Sequence, residues 1–374
     1  MKRYLEPFVV RDLAQKIVFL SGPRQVGKTT LARQLINPHA YLNFDSAHDR
    51  KMIQDAEWDR SVPLVVFDEL HKKKKWKSWI KGAFDTEGIP PGLLVTGSAR
   101  LDTYRKGDDS LAGRFFHYRL HPLSVAEIVR YLETDPQKAL DGILATGGFC
   151  EVYLRGEETF ARRWRRSHLD TIVRQDLMDL NAVRDIKAIE ILIDLLRDRV
   201  GSTVSFSSLA RDLEVSVQTV KHWLTLLESL YVIFPVRPYH KQISRSILKA
   251  AKYYFFDTGA VKNEPGARLE NAVATALLKE AHFLEDTLGH RMQLCYLRDK
   301  EKREVDFLVV RDGKPEKMIE VKLKEESFSP SLFYFSRFFQ NIERFQVVYA
   351  LRRARSKDGA VMHRAAEFLA GLKA

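Results

Sequence analysis

A glycine-rich loop between an apolar run and a helix-forming segment constrains the N-terminal fold more than any other feature. The loop spans residues 22–29 and completes the pattern G-x-x-x-x-G-K-[ST]. The apolar run 17–20 before it predicts a buried strand, and residues 30–35 after it predict a helix. In this order, backbone N–H groups can surround a phosphate at the positive end of the helix. The sequence therefore predicts a binding site for ATP or GTP.

Two side chains of the loop have defined tasks in such a site. Lys28 is expected to reach the β- and γ-phosphates, and the Thr29 hydroxyl is expected to hold Mg²⁺. ATP and Mg²⁺ are thus the predicted cofactors. The predicted nucleotide-binding residues are Gly22, Pro23, Arg24, Gln25, Val26, Gly27, Lys28, Thr29 and Thr30.

Two later apolar runs end in polar residues that suit the same site. Residues 64–67 lead into Asp68 and Glu69. We expect Asp68 to ligate Mg²⁺ through water and Glu69 to act as the general base that polarises the attacking water. The third run ends at Thr96 and Ser98, either of which is placed to contact the γ-phosphate. Ordinary capping of the strand end is the alternative for this pair.

Composition limits the class of protein. A chain of 374 residues is long enough for two or three domains. It has no apolar run near the ~20 residues that a membrane span needs, and no signal-peptide segment at its start. Cys150 and Cys295 form neither a metal pattern nor a disulfide framework. We therefore expect a cytoplasmic protein with no membrane partner.

The charge balance indicates a polyanionic partner. Sixty-one Lys and Arg against 49 Asp and Glu leave a net charge of +12, which favours nucleic acid, here DNA, over a membrane surface. Basic residues cluster at 72–75, beside Trp76 and Trp79, and at 162–166, around Trp164. The tryptophans could stack on bases. Solvated helix faces with the tryptophans turned inward are an equally good interpretation.

The pattern along the chain predicts four regions. Residues 1–122 alternate between strands and helices, as in a parallel α/β sheet, and residues 123–200 are mostly helical. Residues 201–245 predict a winged helix-turn-helix, which could bind DNA or serve as a spacer or protein-docking module. The outer face of its second helix would show Gln218, Thr219, Lys221 and His222.

The fourth region, residues 246–374, contains a second group of charged residues. Glu270 lies in a predicted helix, and Asp306 lies in a strand that a hairpin turn joins to the strand carrying Glu320 and Lys322. Strand alternation puts Glu320 and Lys322 on one face. With Asp306 they could hold a divalent metal, with Lys322 positioning water near a scissile phosphate. Charged hairpin edges also produce such groups by chance.

Several motifs together resemble a large prokaryotic family of AAA-type ATPases whose C-terminal domain of unknown function is similar to PD-(D/E)xK nucleases. These motifs include SGPRQVGKTT (21–30), VVFDELHK (65–72), LLVTGSARLD (93–102) and the pair REVDFLV and IEVK (303–309, 319–322). The resemblance implies that Lys28 and Thr29 are Walker A residues and that Asp68 and Glu69 are Walker B residues. It also implies that Ser98 is a sensor.

The resemblance implies further roles. Arg114 would act on the γ-phosphate, either in its own subunit or from a neighbour in a homo-oligomer. Glu270, Asp306, Glu320 and Lys322 match the nuclease motif, although Val305 stands where that pattern begins with proline. The expected fold is a parallel-sheet α/β AAA-type P-loop ATPase domain, a helical and winged-helix middle region, and a C-terminal restriction-endonuclease-like α/β domain.

The function we expect from these features is a Mg²⁺-dependent ATPase coupled to DNA binding or remodelling, at branched or broken DNA. Two alternatives stay open. One is a nucleotide-dependent signalling switch that binds a protein partner. The other is an ATP-regulated DNA nuclease.

Overall fold

The computed structural model describes residues 1–97, 111–176, 185–240, 250–262, 264–324 and 327–374. It consists of two compact units. The N-terminal unit comprises residues 1–122 with 229–231, and the C-terminal unit comprises residues 123–228 with 232–374. Among the described ranges, no helix is long and apolar enough to cross a membrane.

The N-terminal unit is built on a five-stranded parallel sheet with the order β2-β3-β4-β1-β5. Its strands are β1 (Ile17–Ser21), β2 (His39–Asn43), β3 (Leu64–Asp68), β4 (Gly92–Thr96) and β5 (Phe115–Arg119). Every residue of β1, β3 and β4 is buried. Runs of consecutive apolar residues form such strands because helices cover both faces of a parallel sheet.

Four α-helices surround this sheet in the described part of the unit. They are α1 (Glu6–Leu13), α2 (Lys28–Leu35), α3 (Ala47–Asp55) and α4 (Trp76–Glu87), with a 3₁₀ turn at Leu70–Lys72. Trp76 is only 5% exposed, and its ring meets that of Phe19 edge to face at 5.4 Å. The suggestion that Trp76 stacks on bases is therefore wrong, because this ring belongs to the core.

Helices form the first half of the C-terminal unit. They are α5 (Val125–Leu132), α6 (Pro136–Thr146), α7 (Cys150–Arg155), α8 (Glu158–Thr171), α9 (Ile186–Arg197), α10 (Phe206–Asp212) and α11 (Val217–Ser229), with a π-helical turn at Ile172–Asp176. Trp164 on α8 is 7% exposed and packs against Phe149 at 4.9 Å between ring centroids. It too is a core residue and not a stacking surface.

An eight-stranded mixed sheet forms the second half, with the order β12-β13-β11-β10-β9-β8-β6-β7. Its strands are β6 (Ile233–Pro238), β7 (Lys252–Phe255), β8 (Met292–Arg298), β9 (Glu304–Arg311), β10 (Lys314–Lys324), β11 (Glu343–Ala350), β12 (Arg355–Lys357) and β13 (Ala360–Arg364). The helices that accompany it are α12 (Pro265–Leu288), α13 (Pro330–Ser336) and α14 (Ala365–Ala370), with a 3₁₀ turn at Thr258–Ala260.

The region predicted as a winged helix joins this sheet. Helices α10 and α11 follow one another across a short turn, and Ser216 caps the second by accepting from the Thr219 N–H at 3.0 Å. The expected wing strand, however, is β6, which pairs with β7 and β8. The predicted boundary between 245 and 246 would separate β6 from β7, and it lies outside the described residues. The wing is thus part of the eight-stranded sheet, and DNA contact by α11 stays a prediction.

Candidate nucleotide-binding site

The glycine-rich loop connects the carboxyl end of β1 to the start of α2, as the sequence predicts. Its first glycine, Gly22, has φ +142°, and a Cβ at this position would lie 2.2 Å from the backbone oxygen of Leu120. Gly27, directly before α2, has φ +100°. Side chains are unfavourable in this region of φ, so the fold requires glycine at both ends of the loop.

Lys28 is held inside the loop. Its side chain is buried, and its ammonium group donates to the Gly22 oxygen at 2.9 Å and to the Pro23 oxygen at 2.6 Å. The charge therefore lies beside the N-terminus of α2, where N–H groups without helical partners also attract anions. This arrangement suits the phosphates of a nucleotide.

Asp68 accepts hydrogen bonds from three hydroxyl groups at the carboxyl edge of the sheet. Thr29 donates to Asp68 Oδ2 at 3.0 Å, Tyr41 donates to the same oxygen at 2.5 Å, and Thr96 donates to Oδ1 at 2.5 Å. The strands bring them together, because Asn43, Asp68 and Thr96 are register partners on β2, β3 and β4. The structure thus unites Thr29 with Asp68, the two predicted Mg²⁺ ligands.

Tyr41 has no counterpart in the sequence prediction. Burial and the Asp68 carboxylate raise the pKa of Tyr41 to about 12, so its hydroxyl is a donor at neutral pH. The guanidinium group of Arg33 lies over its ring at 4.0 Å. The prediction missed Tyr41 because nothing in the segment 39–43 marks it as a neighbour of Asp68; only the strand order does.

Thr96 and Ser98 were predicted as alternative contacts to the γ-phosphate. Thr96 is engaged with Asp68, as described above. Ser98 lies outside the described residues, so its sensor role stays a prediction.

Glu69 follows β3 directly in a left-handed backbone conformation, with φ +57°. Its Oε2 atom lies 3.3 Å from the Lys72 ammonium and 3.6 Å from His71 Nε2. Burial raises the pKa of the Glu69 carboxyl, while the nearby Lys72 charge opposes that rise. A raised pKa makes a carboxylate a stronger base, which suits the predicted role.

Lys72 has a different environment from the one suggested by its place in the basic run 72–75. Its ammonium pairs with Asp45 at 2.5 Å as well as with Glu69. Lys72 therefore contacts the predicted base, although it is exposed like Lys74 and Lys75.

Arg114 lies at the wrong edge of the sheet to act on a phosphate in its own subunit. It precedes β5, and its carbonyl accepts from the Ile17 N–H at 3.0 Å, at the amino end of β1. The loop follows the carboxyl end of β1, about 13 Å away at 3.3 Å per residue. Arg114 instead donates to Asp85 at 2.7 Å. Its predicted action on a phosphate within one subunit is therefore wrong. The register between β1 and β5 instead places Arg119 beside Ser21, at the carboxyl edge of the sheet.

The second group of charged residues does assemble in the C-terminal unit, but around a buried lysine. Lys252 on β7 is 1% exposed, and its ammonium lies 2.6 Å from Glu304, 3.4 Å from Glu270 and 3.6 Å from Asp306. Burial alone would lower the pKa of Lys252, but the three carboxylates outweigh it and raise that pKa. The sequence prediction missed Lys252, which lies outside the motifs that suggested the site, and it gave no role to Glu304, although this residue lies within REVDFLV.

The remaining predicted members lie at the edge of this group. Lys322 is 3.1 Å from Glu320, and Asp306 accepts from the Val321 N–H at 2.9 Å. Among the residues with described positions, no three His, Cys, Asp or Glu side chains are arranged to hold a metal ion. The ammonium of Lys252 thus contacts Asp306, one of the two carboxylates that we assigned to a metal, and the expected metal centre is not formed by the described side chains.

Comparison with protein families divides the chain into three matched segments. Residues 14–129 match the AAA domain, residues 137–264 match a domain of unknown function (DUF8612), and residues 265–365 match another (DUF4143). The C-terminal match does not support the expected similarity to nucleases.

Curated relatives share most of the chain but have no described activity. An uncharacterized protein of Mycobacterium tuberculosis is 26% identical over 309 residues, which cover 80% of this chain and 68% of the relative. One from Methanocaldococcus jannaschii is 25% identical over 339 residues, covering 82% and 74%, respectively. One from Haemophilus influenzae is 24% identical over 324 residues, covering 76% and 80%.

Solved structures show only distant similarity. The DNA clamp loader delta protein of Bacillus subtilis gives a TM-score of 0.28 at 14% identity, covering 60% of this chain and 88% of that one. A signal transduction ATPase with a tetratricopeptide repeat sensor from Pyrococcus horikoshii gives 0.30 at 12% identity, covering 76% and 48%. Such scores carry no argument about function. The AAA-domain match and the geometry of the loop, Lys28 and Asp68 together show that the N-terminal unit is a P-loop domain of the AAA type.

Proposed function

We propose that this chain is a Mg²⁺-dependent ATPase whose nucleotide cycle is coupled to DNA binding. The AAA-domain match supports nucleotide hydrolysis as the general class of activity. The proposal that hydrolysis depends on Mg²⁺ is supported by the 3.0 Å contact between the Thr29 hydroxyl and the Asp68 carboxylate, next to the buried Lys28.

The donor set fits Mg²⁺ bound together with a nucleotide. Thr29 and Asp68 offer hard oxygen ligands, and Mg²⁺ in such sites takes few protein ligands and completes its shell with phosphates and water. The absence of a cluster of three acidic or imidazole ligands in the described residues agrees with this shared mode. When bound, Mg²⁺ would neutralise charge on the β- and γ-phosphate oxygens.

The chain's own residues divide the remaining work. Lys28 and the loop N–H groups bind and orient the phosphates. Glu69 takes a proton from water as the water oxygen bonds to the γ-phosphorus and the bond from that phosphorus to the bridging oxygen breaks. Lys72 and His71 contact the Glu69 carboxylate and hold it in position.

The proposal of DNA as partner is supported by charge alone. The net charge is +12, and Lys74 and Lys75 of the basic run 72–75 are exposed. Contacts of this kind release counterions from DNA, so binding should weaken as salt rises and should be nearly independent of DNA sequence. Affinity that does not change between low and moderate salt would count against a phosphate-dominated interface.

One assay separates the candidate functions. ATP turnover is measured alone and with single-stranded, duplex and branched DNA, while the DNA is examined for cleavage. We expect DNA to stimulate turnover without being cut. No effect of DNA would favour a nucleotide-dependent switch that binds protein, and metal-dependent cutting would favour a nuclease.

Lys28→Ala is the control for this assay. The substitution removes the phosphate-binding charge, and we expect turnover to fall by about 10³-fold or more, since such electrostatic contacts act on the charge of the transition state. The exposed Lys51 on α3 provides the matched variant, because Lys51→Ala removes the same charge away from the loop. Equal turnover in the two variants would disprove the assignment of Lys28.

A further inference from the structure

The C-terminal unit contains a cavity of about 540 Å³ whose wall is rich in arginine. On α8 its lining residues recur at the spacing of one helix face, which places Arg162, Arg165 and Arg166 on that wall. Arg174 and Arg197 complete the set from the segments that follow. Arginines on two successive turns of one helix, together with Arg174 and Arg197, therefore face a common space.

Two of these arginines are fixed in place. Arg165 donates to Asp257 at 2.8 Å and to the Thr146 carbonyl at 2.6 Å. Arg197 donates to Asp194 at 2.8 Å, while its buried Nε atom has no hydrogen-bond acceptor among the described residues. A buried guanidinium nitrogen without an acceptor indicates that a ligand or water belongs beside it.

The other cationic groups are available to a ligand. Arg166 and Arg174 are exposed, and neither forms an ion pair with any residue that the structure describes. Arg162 contacts Glu158 only loosely, at 3.5 Å with both side chains exposed. Asp170, Glu190 and Asp194 also line the wall, so the uncompensated positive charge is concentrated at Arg166 and Arg174.

We infer that this cavity binds the phosphate group of a phosphorylated ligand. Guanidinium groups match the oxygens of phosphate in paired hydrogen bonds, and several arginines can share the three oxygens of one terminal phosphate. The carboxylates on the wall repel anions. A ligand therefore binds only if its phosphate group contacts Arg166 and Arg174 directly. The source is either the terminal phosphate of a nucleic acid or a free polyphosphate. This site is separate from the loop at Lys28 and does not depend on the proposed ATPase.

Arg163 provides a matched control. It lies on the same helix, is equally exposed, and is not part of the cavity wall. A cationic surface that attracts phosphate without a defined site would lose the same affinity at Arg163 as at Arg166. A defined phosphate-binding pocket would lose more affinity when Arg166 is replaced than when Arg163 is replaced.

The test uses the full chain carrying Lys28→Ala, so that the nucleotide loop contributes little. Pyrophosphate binding is measured by titration calorimetry. Binding of a 3′-labelled oligonucleotide, with and without a 5′-phosphate, is measured by fluorescence anisotropy. The pocket variant carries Arg166→Gln with Arg174→Gln, and the control variant carries Arg163→Gln with Arg211→Gln, which removes the same charge at exposed positions.

We expect the pocket variant to raise the Kd for the phosphorylated ligand by about tenfold or more, because two charged donors are lost. The control should change it by less than about twofold, as exposed charges contribute little individually. Arg166→Lys keeps the positive charge but loses the paired donors of the guanidinium group. Its Kd should lie between those of the control and pocket variants. Matching melting temperatures establish that the variants are folded.

Each outcome decides the proposal. A selective loss of pyrophosphate binding supports the pocket and identifies a free polyphosphate. A selective loss of the preference for the 5′-phosphorylated oligonucleotide supports it with nucleic acid as the source. Loss of both assigns the phosphate group itself as the recognised element. The proposal is overturned if the Lys28→Ala protein binds neither ligand, or if the control variant loses as much affinity as the pocket variant.

Discussion

Carboxylates with close polar partners occur in both units of this molecule, and their partners differ. In the N-terminal unit, Asp68 is surrounded by the neutral hydroxyl groups of Thr29, Tyr41 and Thr96. In the C-terminal unit, Glu270, Glu304 and Asp306 all contact one buried ammonium, that of Lys252.

The difference separates a site for chemistry from one for stability. Hydroxyl donors orient the Asp68 carboxylate without cancelling its charge, so it can still bind a cation that a nucleotide brings. A buried ammonium already lies among the carboxylates of the second group, and a metal ion would have to displace it. Asp68 at the end of β3 and Asp306 within β9 look alike in sequence. The residues around each carboxylate give the two acids different roles.

The largest effect on stability should come from Lys252→Met. It removes the cation beside Glu270 and Asp306, while Glu304 keeps its pair with Arg298 at 3.2 Å. Removing one partner of a buried ion pair costs about 3–5 kcal/mol. The urea midpoint of unfolding should fall accordingly, while ATP turnover per folded molecule should not change. Lys262→Met breaks an exposed pair with Asp198 and should cost at most about 1 kcal/mol. Equal stability of the two variants would contradict the role of Lys252.

Glu69→Gln should slow ATP hydrolysis by about 10²-fold, because the proton acceptor is lost. ATP binding should persist, since Lys28 and Asp68 are unchanged. Single-turnover hydrolysis and equilibrium nucleotide binding measure the two effects separately. Wild-type turnover in this variant would show that Glu69 is not the base.

Tyr41→Phe should have a smaller effect. It removes one hydrogen bond to Asp68 and keeps the ring beneath Arg33, so only the orientation of the carboxylate changes. Groups that orient a metal ligand affect metal affinity by about tenfold, and the Mg²⁺ concentration for half-maximal turnover should rise by that factor. Tyr41→Leu, which also removes the ring, separates the two contributions. An unchanged Mg²⁺ requirement in Tyr41→Phe would exclude Tyr41 from this role.

Local sequence was sufficient for three of the five strands of the N-terminal sheet and for the core of its site. The apolar runs that begin at residues 17, 64 and 92 formed buried strands because a parallel sheet is covered on both faces. The loop motif then fixed Lys28 and Thr29 at the end of one strand. Asp68 followed because it ends another strand of the same sheet.

What the sequence did not reveal depends on contacts between distant segments. Tyr41 reaches Asp68 only because β2 lies beside β3, and Lys252 meets Glu304 through the packing of the C-terminal unit. The prediction that Arg114 acts within its own subunit was wrong because the motif does not show at which end of a strand this residue lies. The expected wing strand is not a separate element, because β6 pairs with β7 and β8 of the eight-stranded sheet.

The smallest effect should come from altering Asp306 and Glu320 together. Asp306→Asn with Glu320→Gln removes the carboxylates once assigned to a metal, and the new amide oxygen at position 306 can still accept from the Val321 N–H. Basal ATP turnover should equal that of wild type, because these residues take no part in phosphoryl transfer. Neither protein should cut DNA in Mg²⁺ or Mn²⁺, since the Lys252 ammonium already lies beside Glu270 and Asp306 in this group. Metal-dependent cleavage by wild type that disappears in the double variant would overturn the contrast between the two groups. Loss of basal turnover in a correctly folded double variant would show instead that both groups serve one reaction.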